Sequence, residues 1–411
     1  MRRTLTIAAI AIVVAGLLFL GYYYFFANTG SGITVENGAP TQTPFGTPGQ
    51  NAPAPTGSDT TSGTSSTIAG TQVAPHLIMI TSSPVAHGFL VLDAATTSPA
   101  TSATSTPSSG TSVRYIDRTS GNMYAYNVTE GTSVRLTNHT APGVEEAAWV
   151  ADGSLAFIRF LTSDTDKSEH IDTYALPADG TDGRLLARDL SEVLTQGNTL
   201  FTFMPSTSGS VGTVSKTDGS AAATLFTTAL ASLQFSFAGT NLFAYTKPSA
   251  QTNGYAFLVD RKSGAFAKIV GPLSGFAALP SPSGAQLLVS YLNNGVLTLA
   301  LFDAKTHAFT TLPVATLAEK CVWAPDGQSA YCGVPTALSV QNLPDSWYQG
   351  TVAFSDRLWK IDLVARAATL VANLPELTKT PVDATSLTID KNENTLVFMN
   401  KRDGSLWAYS F

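Results

Sequence analysis

Charge is scarce in this chain. Only 13% of its 411 residues are Asp, Glu, Lys or Arg, against ~25% in an average soluble domain. After the pair Arg2-Arg3 there is no basic block, and the net charge is −6, so the electrostatic footprint of a nucleic-acid binder is missing. Two cysteines exclude a zinc cluster or a disulfide scaffold and leave room for one bridge. The five histidines (76, 87, 139, 170 and 307) are scattered. The chain has no His-Glu-x-x-His, no Gly-x-Ser-x-Gly and no phosphate loop, so no catalytic residue is assigned, no enzyme activity is expected and no cofactor is implied. From His76 onward no 3.6-residue periodicity lasts beyond a turn or two, which excludes a helical bundle.

What is present is apolar content, at 44%, with 33 glycines, 22 prolines and abundant Ser and Thr. That balance suits many short strands joined by turns. The N-terminus differs from the rest. Thr4 to Phe26 carries no charge, and at ~1.5 Å per residue it spans ~35 Å, enough to cross a bilayer core. Arg2 and Arg3 precede it and no basic residue follows before Arg114, which places the N-terminus in the cytoplasm and the remainder outside. The aromatic run Tyr22 to Phe26 suits the outer headgroup belt. A retained single-pass anchor over 1–26 in the cell membrane is therefore expected. Residues 27–74 hold two charges, Glu36 and Asp59, among Gly, Ser, Thr and Pro. Such a stretch cannot bury enough surface to offset its ordering entropy, and it reads as a disordered linker ahead of one β-domain over 75–411.

The domain repeats itself. Ala148-Trp149-Val150-Ala151-Asp152-Gly153, Phe235-Ser236-Phe237-Ala238-Gly239, Leu279-Pro280-Ser281-Pro282-Ser283-Gly284, Val322-Trp323-Ala324-Pro325-Asp326-Gly327 and Leu387-Thr388-Ile389-Asp390-Lys391-Asn392 each lead through a tight turn into a short apolar strand. Phe235, Leu279 and Trp323 follow one another at 44-residue steps, the period of a four-stranded propeller blade. Seven units follow: about 84–139, 144–187, 190–229, 231–272, 276–314, 318–374 and a last one from Asp383. The last holds only three strands, and His76–Thr81 has no partner of its own, so this segment is expected to close the ring as the missing outer strand and remove an open edge. The fold class is thus all-β: a seven-bladed β-propeller whose N-terminal strand closes the last blade, preceded by one transmembrane helix. A β-sandwich is the competing arrangement.

The strand–Asp-Gly–strand phrase, with Asn122-Met123-Tyr124-Ala125-Tyr126-Asn127 and Arg135-Leu136-Thr137, resembles the repeats of TolB-like, WD40-like propellers over roughly residues 76–411. No Trp-Asp or Gly-His dipeptide of a true WD40 repeat occurs. The runs Val113-Arg114-Tyr115-Ile116-Asp117-Arg118, Glu319-Lys320-Cys321-Val322-Trp323 and Asp345-Ser346-Trp347-Tyr348-Gln349-Gly350 are similar to membrane-anchored propellers of small-genome candidate-phylum bacteria. That resemblance implies architecture and brings no activity with it.

Labelling the strands of a blade A to D from the axis outward, A–B and C–D turns share one face, and B–C and D–A loops the other. The closing strand would start on the A–B side, so the linker would enter there and leave the B–C face pointing outward for a protein or glycan partner. On that face the long loop Val334–Asp356 carries Asp345, Trp347 and Tyr348, either as an exposed contact site or folded back over the axial channel. Glu145 and Glu146 stand near the channel mouth as candidates for a cation or basic group. Asp164, Asp166 and Glu169, with His170, are weak calcium candidates without the Gly and terminal Glu of an EF-hand loop. Cys321 and Cys332 lie symmetrically about the Pro325-Asp326-Gly327 turn, so a simple hairpin opposes them with Cβ atoms ~4.5–5.5 Å apart, and a disulfide is expected outside the cytoplasm. A binding or scaffolding module leads, with a surface hydrolase at the channel mouth and an envelope spacer as alternatives.

Overall fold

The computed structural model describes residues 67–93, 110–138, 141–338 and 342–411. They form seven antiparallel sheets arranged as the blades of a propeller. Blade 1 takes its strands A to D from Leu90–Leu92, Ser112–Ile116, Met123–Asn127 and Thr132–Arg135. Blades 2 to 6 run Val144–Arg188, Glu192–Thr228, Leu233–Ser274, Ala277–Thr311 and Cys321–Asn373. Blade 7 contributes Ala384–Ile389, Thr395–Asn400 and Leu406–Ser410, and its fourth strand is Leu77–Thr81. That strand pairs antiparallel with Leu406–Ser410 in the register Leu77↔Tyr409, Ile78↔Ala408 and Met79↔Trp407. The all-β class, the seven blades and the closure by an N-terminal strand agree with the sequence analysis.

Inner strands of the blades are deeply buried where neighbouring sheets flank them on both faces. Leu396, Val397 and Phe398 of blade 7 are fully inaccessible, as are Ala156, Phe157 and Ile158 of blade 2. Between blades 3 and 4, Phe201, Phe203, Phe226 and Phe235 form an aromatic wedge with ring centroids 4.8 to 6.3 Å apart. The 44-residue repeat is also a physical contact. Trp323 of blade 6 donates its indole N–H to the carbonyl of Leu279, its counterpart in blade 5, at 3.1 Å. Cys321 and Cys332 are directly opposed in the A–B hairpin of blade 6 and are joined as a disulfide.

The start of the domain differs from expectation. Thr67–Ala69 and Thr71–Ala74 fall inside the stretch read as linker, yet both are strands. The first adds a fifth strand to blade 1, and the second adds one to blade 7. Gly70 sits at the crossing between them, where a side chain would collide with the ring of Tyr126. Each extra strand runs antiparallel to the outer strand it covers, so the chain approaches the ring from the B–C side and not from the A–B side. Composition alone misses them, since main-chain ladder bonds hold them more than apolar side chains do: Thr71 and Gln72 are exposed. Among the described residues no helix is long and apolar enough to cross a membrane. The expected anchor Thr4–Phe26 and most of the expected linker lie outside the described residues.

Candidate binding cleft at the axial mouth

The inner strands of the seven blades line the propeller axis, and each starts at the face that carries the B–C loops. Side chains at these starts therefore converge on one mouth. A cleft of about 690 Å³ opens there, within the size range of ligand sites. Its walls come from the connection into blade 1 (His87), the B–C turn of blade 1 (Arg118), the entry to blade 6 (Glu319), the inner strand of blade 7 (Ser386) and the B–C turn of blade 7 (Lys401, Arg402). Trp347 and Tyr348 form the remaining wall.

Those two aromatics belong to the long B–C loop of blade 6, which folds back over the mouth. Its short helix Asp345–Tyr348 is tied at three places. Asp345 accepts hydrogen bonds from the Ser249 hydroxyl at 2.8 Å and the Ala250 N–H at 2.6 Å, both in blade 4. Tyr348 donates its hydroxyl to Glu319 at 2.6 Å. Trp347, only 3% exposed, donates its indole N–H to Asp383 of blade 7 at 2.9 Å and stacks on Phe354. Of the two arrangements the sequence allowed, the folded-back one is present. Trp347 is packed beneath the loop rather than offered to solvent, and Asp345 is an anchoring residue. Lys401 completes the clamp, donating to the Trp347 carbonyl at 2.8 Å from a position over the indole ring.

Glu145 and Glu146 do stand beside the mouth, but each has an arginine. Glu145 pairs with Arg118 in a half-exposed contact, and Glu146 pairs with Arg159, whose side chain is only 12% exposed. The calcium candidates do not converge. Asp164 lies 3.4 Å from Arg188 and 3.5 Å from His170, while Asp166 accepts from the N–H and hydroxyl of Ser168 at 2.9 and 2.6 Å. Glu169 lies at the start of an adjoining strand and is exposed. No group of three or more metal-ligating side chains occurs among the described residues. His87 bridges to Glu146 in parallel, with main-chain bonds to Glu145 and Ala147.

Desolvation sets the electrostatics of the mouth. Burial, reinforced by the neighbouring Glu146, pushes the Glu192 carboxyl up to about 8. Burial likewise raises Glu319, and Tyr348 is raised by burial and by Glu319. His87 is lowered, chiefly by burial, against the opposing pull of Glu146. The inner carboxyls thus tend toward their neutral forms, whereas the rim keeps the permanent cations Arg118 and Arg402. Arg402 is exposed and donates to the carbonyls of Phe354 and Ala353 at 3.1 and 3.0 Å.

Glu192 offers a direct test. Its folded-state value of about 8 lies above the ordinary 4.5. Between those values the folded protein holds a proton that the unfolded chain has released, so stability falls as pH rises through this window. Arg159 and Lys247 oppose the shift, whereas Glu146 and Glu319 favour it. Asp356, raised to about 6 by burial, adds the same sign over the lower part of the range. Glu192→Gln is expected to flatten the loss between pH 6 and 8 and to exceed wild type in stability at pH 8, measured by urea unfolding across the range. A variant as pH-sensitive as wild type would show that Glu192 is ionised in the fold.

No family model matches the chain, and no curated protein matches it. Solved structures do. An oligogalacturonate lyase from Vibrio parahaemolyticus is 10% identical, with a TM-score of 0.54, over 85% of this chain and 98% of that one. An oligogalacturonate lyase in complex with manganese is 9% identical, with a TM-score of 0.57, over 84% and 98%. At such identities the likeness establishes the propeller fold and nothing about chemistry.

Proposed function

We propose that this protein is a membrane-anchored binding module that seats a carboxylate-bearing ligand, a protein segment or a glycan, in the cleft at the mouth of its propeller. One observation carries the reading. In a chain of net charge −6, the cleft rim gathers Arg118 from the B–C turn of blade 1 and Lys401 and Arg402 from that of blade 7 around a pocket of about 690 Å³. Cations focused at a partly enclosed site attract and orient an anion. Of the carboxylates in the same wall, Glu319 accepts from Tyr348 through Oε2 and is raised toward its neutral form by burial, with Oε1 buried and unpartnered, and Asp403 accepts from the N–H of Ser405 at 2.9 Å and from its hydroxyl at 2.5 Å. A hydrolase would need an acid and a base both facing the vacant space, so the binding reading is preferred to the enzymatic one. Thr4–Phe26 supplies the membrane attachment in this reading, with the propeller outside the cytoplasm, and the repeat phrases favour a TolB-like affiliation.

The test is cross-linking in cells, followed by detergent extraction of the full chain and identification of what co-purifies. Arg118→Glu should reduce capture about tenfold or more, the scale of one lost charge-assisted contact. Arg184→Glu, in an outer strand of blade 2, should leave capture unchanged. Equal capture by both variants would move the site away from the cleft, and no captured partner at all would remove the binding reading.

A further inference from the structure

Three charged side chains of blades 6 and 7 meet where no water reaches. Lys320, Asp356 and Asp383 are each 0% exposed. The Lys320 ammonium contacts Asp383 Oδ1, lies 2.8 Å from Asp356 Oδ2, and donates to the Ala384 carbonyl at 2.9 Å. The rings of Trp347 and Phe354 stand 5.3 Å from the same nitrogen. The remaining oxygen of Asp383 accepts two N–H groups, the Trp347 indole at 2.9 Å and the Phe354 amide at 2.8 Å. Asp356 Oδ2 accepts the Ala384 N–H at 2.7 Å, while its Oδ1 is buried without a hydrogen-bond partner.

We propose that Lys320 and Asp383 condense to an amide, a covalent cross-link between blades 6 and 7, with Asp356 as the proton carrier.

The charge balance favours it. One cation faces two anions, so one carboxyl always lacks a counter-charge in a dry site, where an unpaired charge is expensive. Condensation removes the ammonium and one carboxylate together and leaves a single carboxyl that can be neutral. Asp356 suits that role, since its orphan oxygen makes the ionised form costly, and burial raises its pKa to about 6.

The geometry supplies each step. Asp356 takes a proton from the ammonium, and the freed amine forms a bond from Nζ to Cγ of Asp383. Negative charge then develops on Asp383 Oδ2, where the Trp347 and Phe354 N–H groups already point. Donors fixed in advance at a developing oxyanion lower such barriers. Asp383 Oδ1 leaves as water, taking two protons that came from the lysine nitrogen by way of Asp356, which ends as it began. The ammonium's third hydrogen remains on the amide nitrogen. The balance is one ammonium and one carboxylate in, one amide and one water out, with no co-reactant. Holding both partners in contact within a rigid site supplies the orientation that a bimolecular condensation lacks.

The experiment is peptide mapping of the full chain, denatured, reduced and digested with trypsin. Free Lys320 would be cleaved to end a peptide 306–320, whereas an amidated Lys320 is not a trypsin site. The expected result is 306–357 joined to 380–391 and lighter by one water than the two together, with fragmentation placing the branch between Lys320 and Asp383. Asp356→Ala should restore cleavage after Lys320 and release 380–391 unlinked. A wild-type digest that shows peptide 306–320, with Lys320 open to an amine-acylating reagent after denaturation, would overturn the proposal and leave the triad purely ionic. A branch at Asp356 would overturn the assignment of acceptor and catalyst. The wild-type digest decides the matter even if the variant fails to fold.

Discussion

A full chain lacking residues 67–81 should lose its folded monomer peak and appear as aggregate. The segment contributes Leu77 and Ile80, 0% and 4% exposed, and burial of each is worth roughly 1.5–3 kcal/mol. Its removal also strips the ladder from Leu406–Ser410 and exposes a long edge that invites pairing with other chains. Those losses together approach the 5–15 kcal/mol that holds a typical domain folded. Removing only 67–74 should be far milder, because those strands cover strands already paired on their inner sides and present exposed side chains at Thr71 and Gln72. Size-exclusion profiles of the two deletions make the comparison. A folded monomer from the longer deletion would show that the ring closes without its N-terminal strand.

Lys320→Met should be the most damaging single substitution in blade 6. It leaves Asp356 and Asp383 facing each other at full burial without the lysine nitrogen that joins them, whether as a cation or through the amide proposed above. Breaking a buried ion pair from one side costs about 3–5 kcal/mol. The damage should spread to the cleft, because Asp383 also holds Trp347 and the Phe354 amide. Adding Asp356→Asn and Asp383→Asn to Lys320→Met should recover much of the loss, since amide oxygens can still accept those N–H groups without carrying charge. Urea unfolding of the single and triple variants measures both effects. A single variant as stable as wild type would mean that water or a proton already neutralises the triad. An unrecovered triple variant would mean that the charge itself holds the loop.

Much of this architecture was legible in the residues. The Pro-Asp-Gly and Ser-Gly turns recur because hairpins need those backbone conformations locally, so blade boundaries emerge to within a few residues. The three-stranded last unit and the orphan strand at His76–Thr81 announce the closure by simple counting. Cys321 and Cys332 were pairable because a hairpin register is a local property. The strands Thr67–Ala69 and Thr71–Ala74 were hidden for the opposite reason. Thr67–Ala69 is held by backbone bonds to Thr132–Arg135, far along the chain, Thr71–Ala74 is held by the main chain of the neighbouring closing strand rather than by buried apolar side chains, and the composition of both matches the linker that precedes them.

The site was less legible. Trp347 and Tyr348 were found, but their exposure depended on whether their loop turned outward or back. Serine and backbone donors in blade 4, Glu319 and Asp383 decide that, and none is a sequence neighbour. Nothing marked Asp356 or Asp383 as partners of Lys320, since an isolated aspartate at the edge of a strand usually faces water. By itself the sequence determined what short-range physics controls: strand period, turn chemistry, blade count, the hairpin disulfide and the strand left over to close the ring. Only the tertiary structure decided which carboxyls lie dry beside a lysine and which cations share one rim, because burial and charge pairing depend on neighbours that the closed ring brings together.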